Sequence, residues 1–266
     1  MIELVEVESL DGIADLRRAY LVSLVAPLDG MWESFASAGR HLEIRAAGAR
    51  AGYLSVDDKG RVLQFHAAGP FERIAPDLVA AAAARDDVVG AMVSTADPGF
   101  LGPCLDLHRS LRVHTLLYED AGSGERDLPD DPAARLDIAE IDDLDAVASF
   151  QRDSLDRDPG AWLVGYLEGL IGRRELHVLR LDGAIVATGE ARVSDRQPPV
   201  VDLGVITGRA HRRRGIAAGV LGRLKATCRE RGLSPICSTT VENVGARQAI
   251  ANAGFVCRHR LLEIGF

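Results

Sequence analysis

The chain holds only four cysteines, Cys104, Cys228, Cys237 and Cys257, and no two stand at metal-ligand or redox spacing. Each lies among apolar residues, which points to buried structural thiols and implies no disulfide framework. Lysine is nearly missing: Lys59 and Lys225 are the only two, and the remaining basic charge is arginine, which reads as coding bias. No apolar run reaches the ~20 residues of a membrane span. The start, Met1-Ile2-Glu3-Leu4-Val5-Glu6, lacks the basic stretch and apolar core of a secretion signal, so no membrane partner and a cytoplasmic location are expected. Positive charge is also in deficit, at a formal net charge of −8. That balance argues against non-specific nucleic-acid binding and suits a cationic substrate. The seven histidines are scattered without ligand spacing, so no metal site is expected.

What is present is apolar sequence enough for one large domain or two modest ones. Turn formers crowd positions 121–132, from Ala121-Gly122-Ser123-Gly124 to Asp131-Pro132, with no apolar period. The run divides the chain nearly in half, giving expected domains at 1–121 and 135–266 around a linker at 122–134. Both halves show the same order. Ser94-Thr95-Ala96-Asp97 and Ser238-Thr239-Thr240-Val241 each follow a short strand and precede a helix and a last strand. Reading outward, the first half has strands at 1–5, 42–45, 49–56, 62–66, 88–93 and 113–118, with helices at 10–25, 74–84 and around 101–108. The second has strands at 136–141, 176–181, 184–193, 200–206, 236–239 and 256–264, with Asp182-Gly183 as a hairpin turn. Helices at 144–152 and 161–171, a long helix opening near residue 215 and a short one after Asn243 complete it. The fold class is therefore α/β (α+β), with a mixed, mostly antiparallel sheet flanked by helices in each half.

The densest chemistry lies in Thr207-Gly208-Arg209-Ala210-His211-Arg212-Arg213-Arg214-Gly215-Ile216-Ala217. It ends an apolar strand and opens a helix whose Ile216, Val220, Leu221, Leu224 and Cys228 recur at helical spacing. The first turn of a helix has N–H groups without intrahelical acceptors, and the helix dipole favours an anion there. Gly215 and Ala217 place no large side chain between that backbone and a phosphate.

Arg212, Gly215 and Ala217, followed by Asn243 and by Gly254-Phe255, resemble the signatures of the GNAT superfamily of N-acetyltransferases. The resemblance implies an acetyl-CoA co-substrate. It implies that the N–H groups of Arg213, Arg214, Gly215, Ile216 and Ala217 hold pyrophosphate with Arg212 and Arg214 beside it. It further implies that Val205 and Thr207 pair with the pantetheine arm where two strands splay, that Val205 or Ile206 supplies an oxyanion N–H, and that Asn243 bonds the arm. Many relatives carry a tyrosine acid seven residues beyond the asparagine; here that position is Ile250. Tyr166 and Tyr118 are substitutes to weigh, although packing explains both. In the first half, Gly69-Pro70-Phe71-Glu72-Arg73 has no such motif and places Glu72 where phosphate would lie, so that half is expected to be degenerate.

Acetyl transfer to an amine needs a held donor, an uncharged amine and a stabilised oxyanion. Glu190 and Asp202 are the carboxylates nearest the expected acceptor and are the candidate bases. For Glu190 a bond to Arg192, and for Asp202 burial beside apolar neighbours, are the structural alternatives. The expected activity is acetyl-CoA-dependent N-acetylation of a small amine, cationic ones included, by the second half, as monomer or homodimer. A non-catalytic acyl-CoA-binding module is the rival. A nucleotide-binding protein is disfavoured because the Gly-Lys-Ser/Thr ending of a P-loop is absent.

Overall fold

The computed structural model describes residues 1–122, 128, 134–155 and 158–266. Most of the expected linker at 122–134 therefore lies outside the described residues. The chain divides into two compact units, Met1–Leu116 with His259–Phe266, and Leu117–Arg258. No helix among the described residues is long and apolar enough to cross a membrane.

Unit 1 contains β1 (Ile2–Glu6), α1 (Ala14–Ser23), α2 (Gly30–Ala38), β2 (Arg40–Ala46), β3 (Ala49–Val56), β4 (Arg61–Ala67), α3 (Ala75–Ala83), β5 (Gly90–Ser94) and α4 (Pro98–Leu107). The strand β6 (Ser110–Asp120) follows. The order β1-β2-β3-β4-β5 is antiparallel except for β4 with β5. Helix α2 has no counterpart among the expected elements. Its signal is local but short: Asp29 caps it, accepting from the Trp32 N–H at 2.8 Å. The core joins alternate residues of β2 to β4, such as Ile44, Leu54 and Phe65, to Leu78 and Val79 of α3 and Phe100 of α4.

Unit 2 contains β7 (Arg135–Ile138), α5 (Leu144–Ser154), α6 (Trp162–Gly172), β8 (Leu176–Leu181), β9 (Ala184–Val193), β10 (Val200–Thr207), α7 (Ile216–Glu230), β11 (Ser234–Thr240) and α8 (Val244–Asn252). Its strand order is β11-β10-β9-β8-β7, antiparallel except for β10 with β11. Two neighbouring residues of β9 show which helix covers which face. A Cβ on Gly189 would lie 2.8 Å from Val220 and Leu224, so α7 packs directly on that face. On the opposite face Gln151 of α5 donates to the Thr188 hydroxyl at 3.1 Å. Helix α6 shares this second side, with Leu163, Leu167 and Leu170 packed with Val147 of α5 and Val178 of β8.

The final strand, β12 (Phe255–Gly265), was expected within the second half. Its last residues instead belong to unit 1, because Leu261 to Gly265 pair antiparallel with Ser94 to Gly90. Leu262 and Ile264 join that unit's core.

Candidate active site

The loop after β10 is shaped by its own backbone. A single 3-10 turn, Arg209–His211, is followed by Arg213 at φ 63° and Gly215 at φ 80°. The second value lies in the left-handed region where glycine carries no steric cost. Gly215 is the N-cap of α7 and has no side chain to bond the first turn. The first intrahelical bond is Gly219 N–H to Gly215 carbonyl at 3.0 Å. The N–H groups of Ile216, Ala217 and Ala218 are thus left without intrahelical acceptors at the positive end of a 15-residue helix. Ile216 buries its side chain and anchors the turn.

The arginines divide into two roles. Arg209 Nε donates to the Asp153 carbonyl at 2.7 Å, and Arg212 Nη2 to the Ser154 carbonyl at 2.6 Å. Both tie the loop to the C-terminal end of α5, where carbonyls lack helical partners. Arg212, expected beside the phosphates, therefore has a positioning bond of its own. Arg213 and Arg214 are exposed and make no ion pair or side-chain hydrogen bond among the described residues.

Beside this loop two strands part. β10 and β11 pair only from Val200 with Ser234 to Leu203 with Cys237, although β10 continues to Thr207 and β11 to Thr240. β10 meanwhile stays paired with β9 as far as Thr207 with Ala187. At the two ends of that ladder, Ser194 N–H meets the Val200 carbonyl and Gly208 N–H meets the Val186 carbonyl. Antiparallel alternation then turns the main-chain groups of Asp202, Gly204 and Ile206 toward β9, and those of Val205 and Thr207 toward the gap. Ile206 N–H is taken up in the ladder, so Val205 alone of the two expected oxyanion donors opens on the gap. At the same end, Thr207 Oγ1 and His211 Nδ1 are buried without a hydrogen-bond partner. Such groups are costly unless something satisfies them.

Glu190 and Asp202 are brought together on the α5/α6 side of the sheet. Glu190 is opposite Gly204, and Arg192 opposite Asp202. Arg192 Nη2 donates to Asp202 Oδ2 at 2.9 Å, and its Nη1 lies 3.4 Å from Glu190 Oε2. Tyr166, on α6, donates to Glu190 Oε2 at 2.6 Å and accepts from Arg192 Nη1 at 3.0 Å. Packing alone thus does not describe Tyr166, and nothing in its local sequence identifies this bond across the unit. Burial, with the Glu190 charge next, pushes the Tyr166 hydroxyl well above the ordinary tyrosine range. Burial opposes the charge on Arg192, yet Asp202 and then Glu190 raise it overall, so the guanidinium stays cationic. Glu190 Oε2 lies 3.4 Å from where a Cβ on Gly204 would stand, at the first residue of the parted stretch. Asp202 is 3% exposed.

Asn243 is the N-cap of α8, and its Oδ1 accepts from Ala246 N–H at 3.1 Å. That leaves its amide nitrogen as the donor to offer a ligand. Ile250 is buried on α8 and carries no proton to donate. Tyr118 is also buried. Among the described residues no cluster of three or more histidine, cysteine or carboxylate groups suits a metal.

An open helix N-terminus lies beside two parted strands, with a carboxylate at the parting, which is the arrangement the resemblance to acetyl-CoA-dependent transferases leads one to expect. Residues 9–121 match an acetyltransferase (GNAT) domain, and residues 136–255 match the acetyltransferase (GNAT) family. The structure superposes at a TM-score of 0.91 on an acetyltransferase of the GNAT family from Colwellia psychrerythraea, 33% identical, over 100% of this chain and 99% of that one. A GCN5-related N-acetyltransferase from Sphaerobacter thermophilus aligns at TM-score 0.67 and 14% identity, over 98% and 94% of the two chains. A tandem GNAT protein from the clavulanic acid biosynthesis pathway aligns at 0.64 and 17%, over 99% and 98%; these two share the fold. No curated protein matches the chain. The chain belongs to the GNAT acetyltransferase family and carries two GNAT domains in tandem. It is an acetyltransferase with acetyl-CoA as co-substrate.

Proposed function

We propose that unit 2 transfers the acetyl group of acetyl-CoA to the amine of a small cationic substrate. The observation that carries this reading is the parting of β10 from β11 beside Glu190. Acetyl-CoA supplies the activated thioester. The N–H groups of Ile216, Ala217 and Ala218 receive its pyrophosphate, with Arg213 and Arg214 neutralising charge. Gly215 keeps the approach open. The open N–H and C=O groups of Val205 and Thr207 suit an arm built of amides, and Asn243 offers a further donor. Val205 N–H is then the donor to oxygen as negative charge develops there.

An alkylamine, pKa ~10, arrives as the ammonium and must lose a proton before attack. Glu190 takes it. Its carboxylate stands at the parting, whereas Asp202 is held on Arg192 and acts through that guanidinium to fix Glu190. A carboxylate here, in a chain of net charge −8, also favours a cationic acceptor.

The test is thiol release from acetyl-CoA across a panel of small amines. Glu190→Gln should lower kcat by about 10²-fold or more while coenzyme A binding is kept, the usual scale for loss of a general base. An unchanged kcat would remove Glu190 from the reaction. Coenzyme binding without turnover on any amine would favour the rival reading of an acyl-CoA-binding module.

A further inference from the structure

We propose that Trp162 is a specificity-determining residue, forming with Tyr166 an aromatic wall that selects a primary alkylammonium carrying an apolar chain or ring. The inference rests on the reading that Glu190 faces the acceptor. Four residues of unit 2 form a connected series from solvent to the parted strands. Trp162, in the first turn of α6, is 58% exposed. Four residues on, Tyr166 lies on the same helix face, and the two rings meet edge to face at 5.2 Å between centroids and 70° between planes. The Tyr166 hydroxyl is bonded to Glu190 Oε2, and Glu190 abuts Gly204. An indole thus stands one ring away from a carboxylate at the gap.

The chemistry of that series specifies its ligand. Glu190 attracts the ammonium but cannot distinguish one ammonium from another. The indole is the strongest aromatic partner for a cation, and an aromatic surface with bound carboxylate beside it rewards positive charge and apolar area together. Gly160, at φ 83°, turns the chain into α6, and a Cβ there would lie 3.7 Å from Trp162 Cδ1, so the backbone holds the indole closely from behind. A neutral alcohol of the same shape would keep the apolar contact and lose the ionic one. A small hydrophilic ammonium would keep the ionic contact and lose the apolar one.

The chain has two tryptophans, and Trp32 is buried in unit 1. The exposed indole of Trp162 is therefore the one to report a ligand by fluorescence. Full-length protein, with and without coenzyme A, is titrated with phenethylammonium, 2-phenylethanol and methylammonium. Phenethylammonium should change the emission saturably, with the other two at least about tenfold weaker, the scale of a partly desolvated cation–π contact. Trp162→Ala should abolish that signal and raise KM for phenethylamine about tenfold, with kcat within about twofold. Trp162→Phe should restore most of the KM. An unchanged KM in Trp162→Ala, equal response to the alcohol, or no saturable response to any probe overturns the proposal. Glu190→Gln separates the two claims. If it leaves kcat intact, the reading of Glu190 fails; if it lowers kcat while Trp162→Ala leaves KM unchanged, only the aromatic wall fails.

Discussion

Asp97 and Asn243 do the same local work in the two units: each caps a helix, with Oδ1 accepting the N–H three residues on at 3.1 Å. Asp97 does so at 4% exposure. Burial pushes its carboxyl up to about 6, against smaller opposing effects from the Phe100 N–H and the Tyr20 hydroxyl. The folded protein therefore binds that proton more tightly than the unfolded chain. The cost of ionisation is absent below about pH 4, grows through the interval up to about pH 6 and stays constant above it. Asn keeps the cap without the charge, so Asp97→Asn should stabilise the protein by about 2–3 kcal/mol at pH 7 and by nothing near pH 3.5. Thermal unfolding at the two pH values measures this, and an equal effect at both would contradict it. The family resemblance points to Asn243, but not to its oxygen being used as a cap. Lys225 was similarly opaque: it is fully buried on α7, 3.2 Å from Asp120 and with its ammonium 5.4 Å from the centre of the Phe255 ring. Its partners lie far away in sequence, so nothing in its neighbourhood distinguishes it from compositional bias.

At the level of elements, the β10–α7 junction was legible because its determinants are local: an apolar strand, a glycine at the cap and helical periodicity in α7. A residue with a side chain at Gly215 meets the left-handed φ, costing about 1 kcal/mol. Glutamate adds a negative charge facing the open N–H groups. Gly215→Glu should weaken coenzyme A binding by at least about 100-fold in calorimetric titration while shifting the unfolding midpoint by only a few degrees. Retained tight binding would place the pyrophosphate elsewhere. The contrast with unit 1 has a comparable local cause. There β4 and β5 pair only at Arg61 with Gly90 and Val62 with Ala91, so the strands part as β10 and β11 do. Leu63, Phe65 and Ala67 are nevertheless buried, Phe65 against Phe100 at 5.5 Å. Pro70 and Glu72 lie in a 3-10 turn, Gly69–Ile74, that runs into α3. Val205 and Thr207 in unit 2 are only half-buried. We therefore propose that unit 1 does not take the coenzyme.

Over the whole molecule, the chain's last residues complete the first unit. A variant ending at Arg258 would remove the Leu261 to Gly265 ladder and the buried side chains of Leu262 and Ile264, each contributing about 1.5–3 kcal/mol. In a Trp162→Phe background, emission from Trp32 should shift to the red and lose its cooperative transition in urea; an unaltered transition would show that unit 1 does not depend on the strand. The tandem order, the type of nearly every element and the glycine-capped loop between β10 and α7 are legible in the chain alone, because turn chemistry, periodicity and helix ends act over a few residues. Which main-chain groups open on the gap follows only from where a ladder stops in the folded chain. Folding likewise sets the network of Tyr166, Glu190, Arg192 and Asp202, the fastening of the loop to α5 by Arg209 and Arg212, and the place of the final strand in the first unit. Each of these rests on contacts between distant segments, which no local pattern of residues encodes.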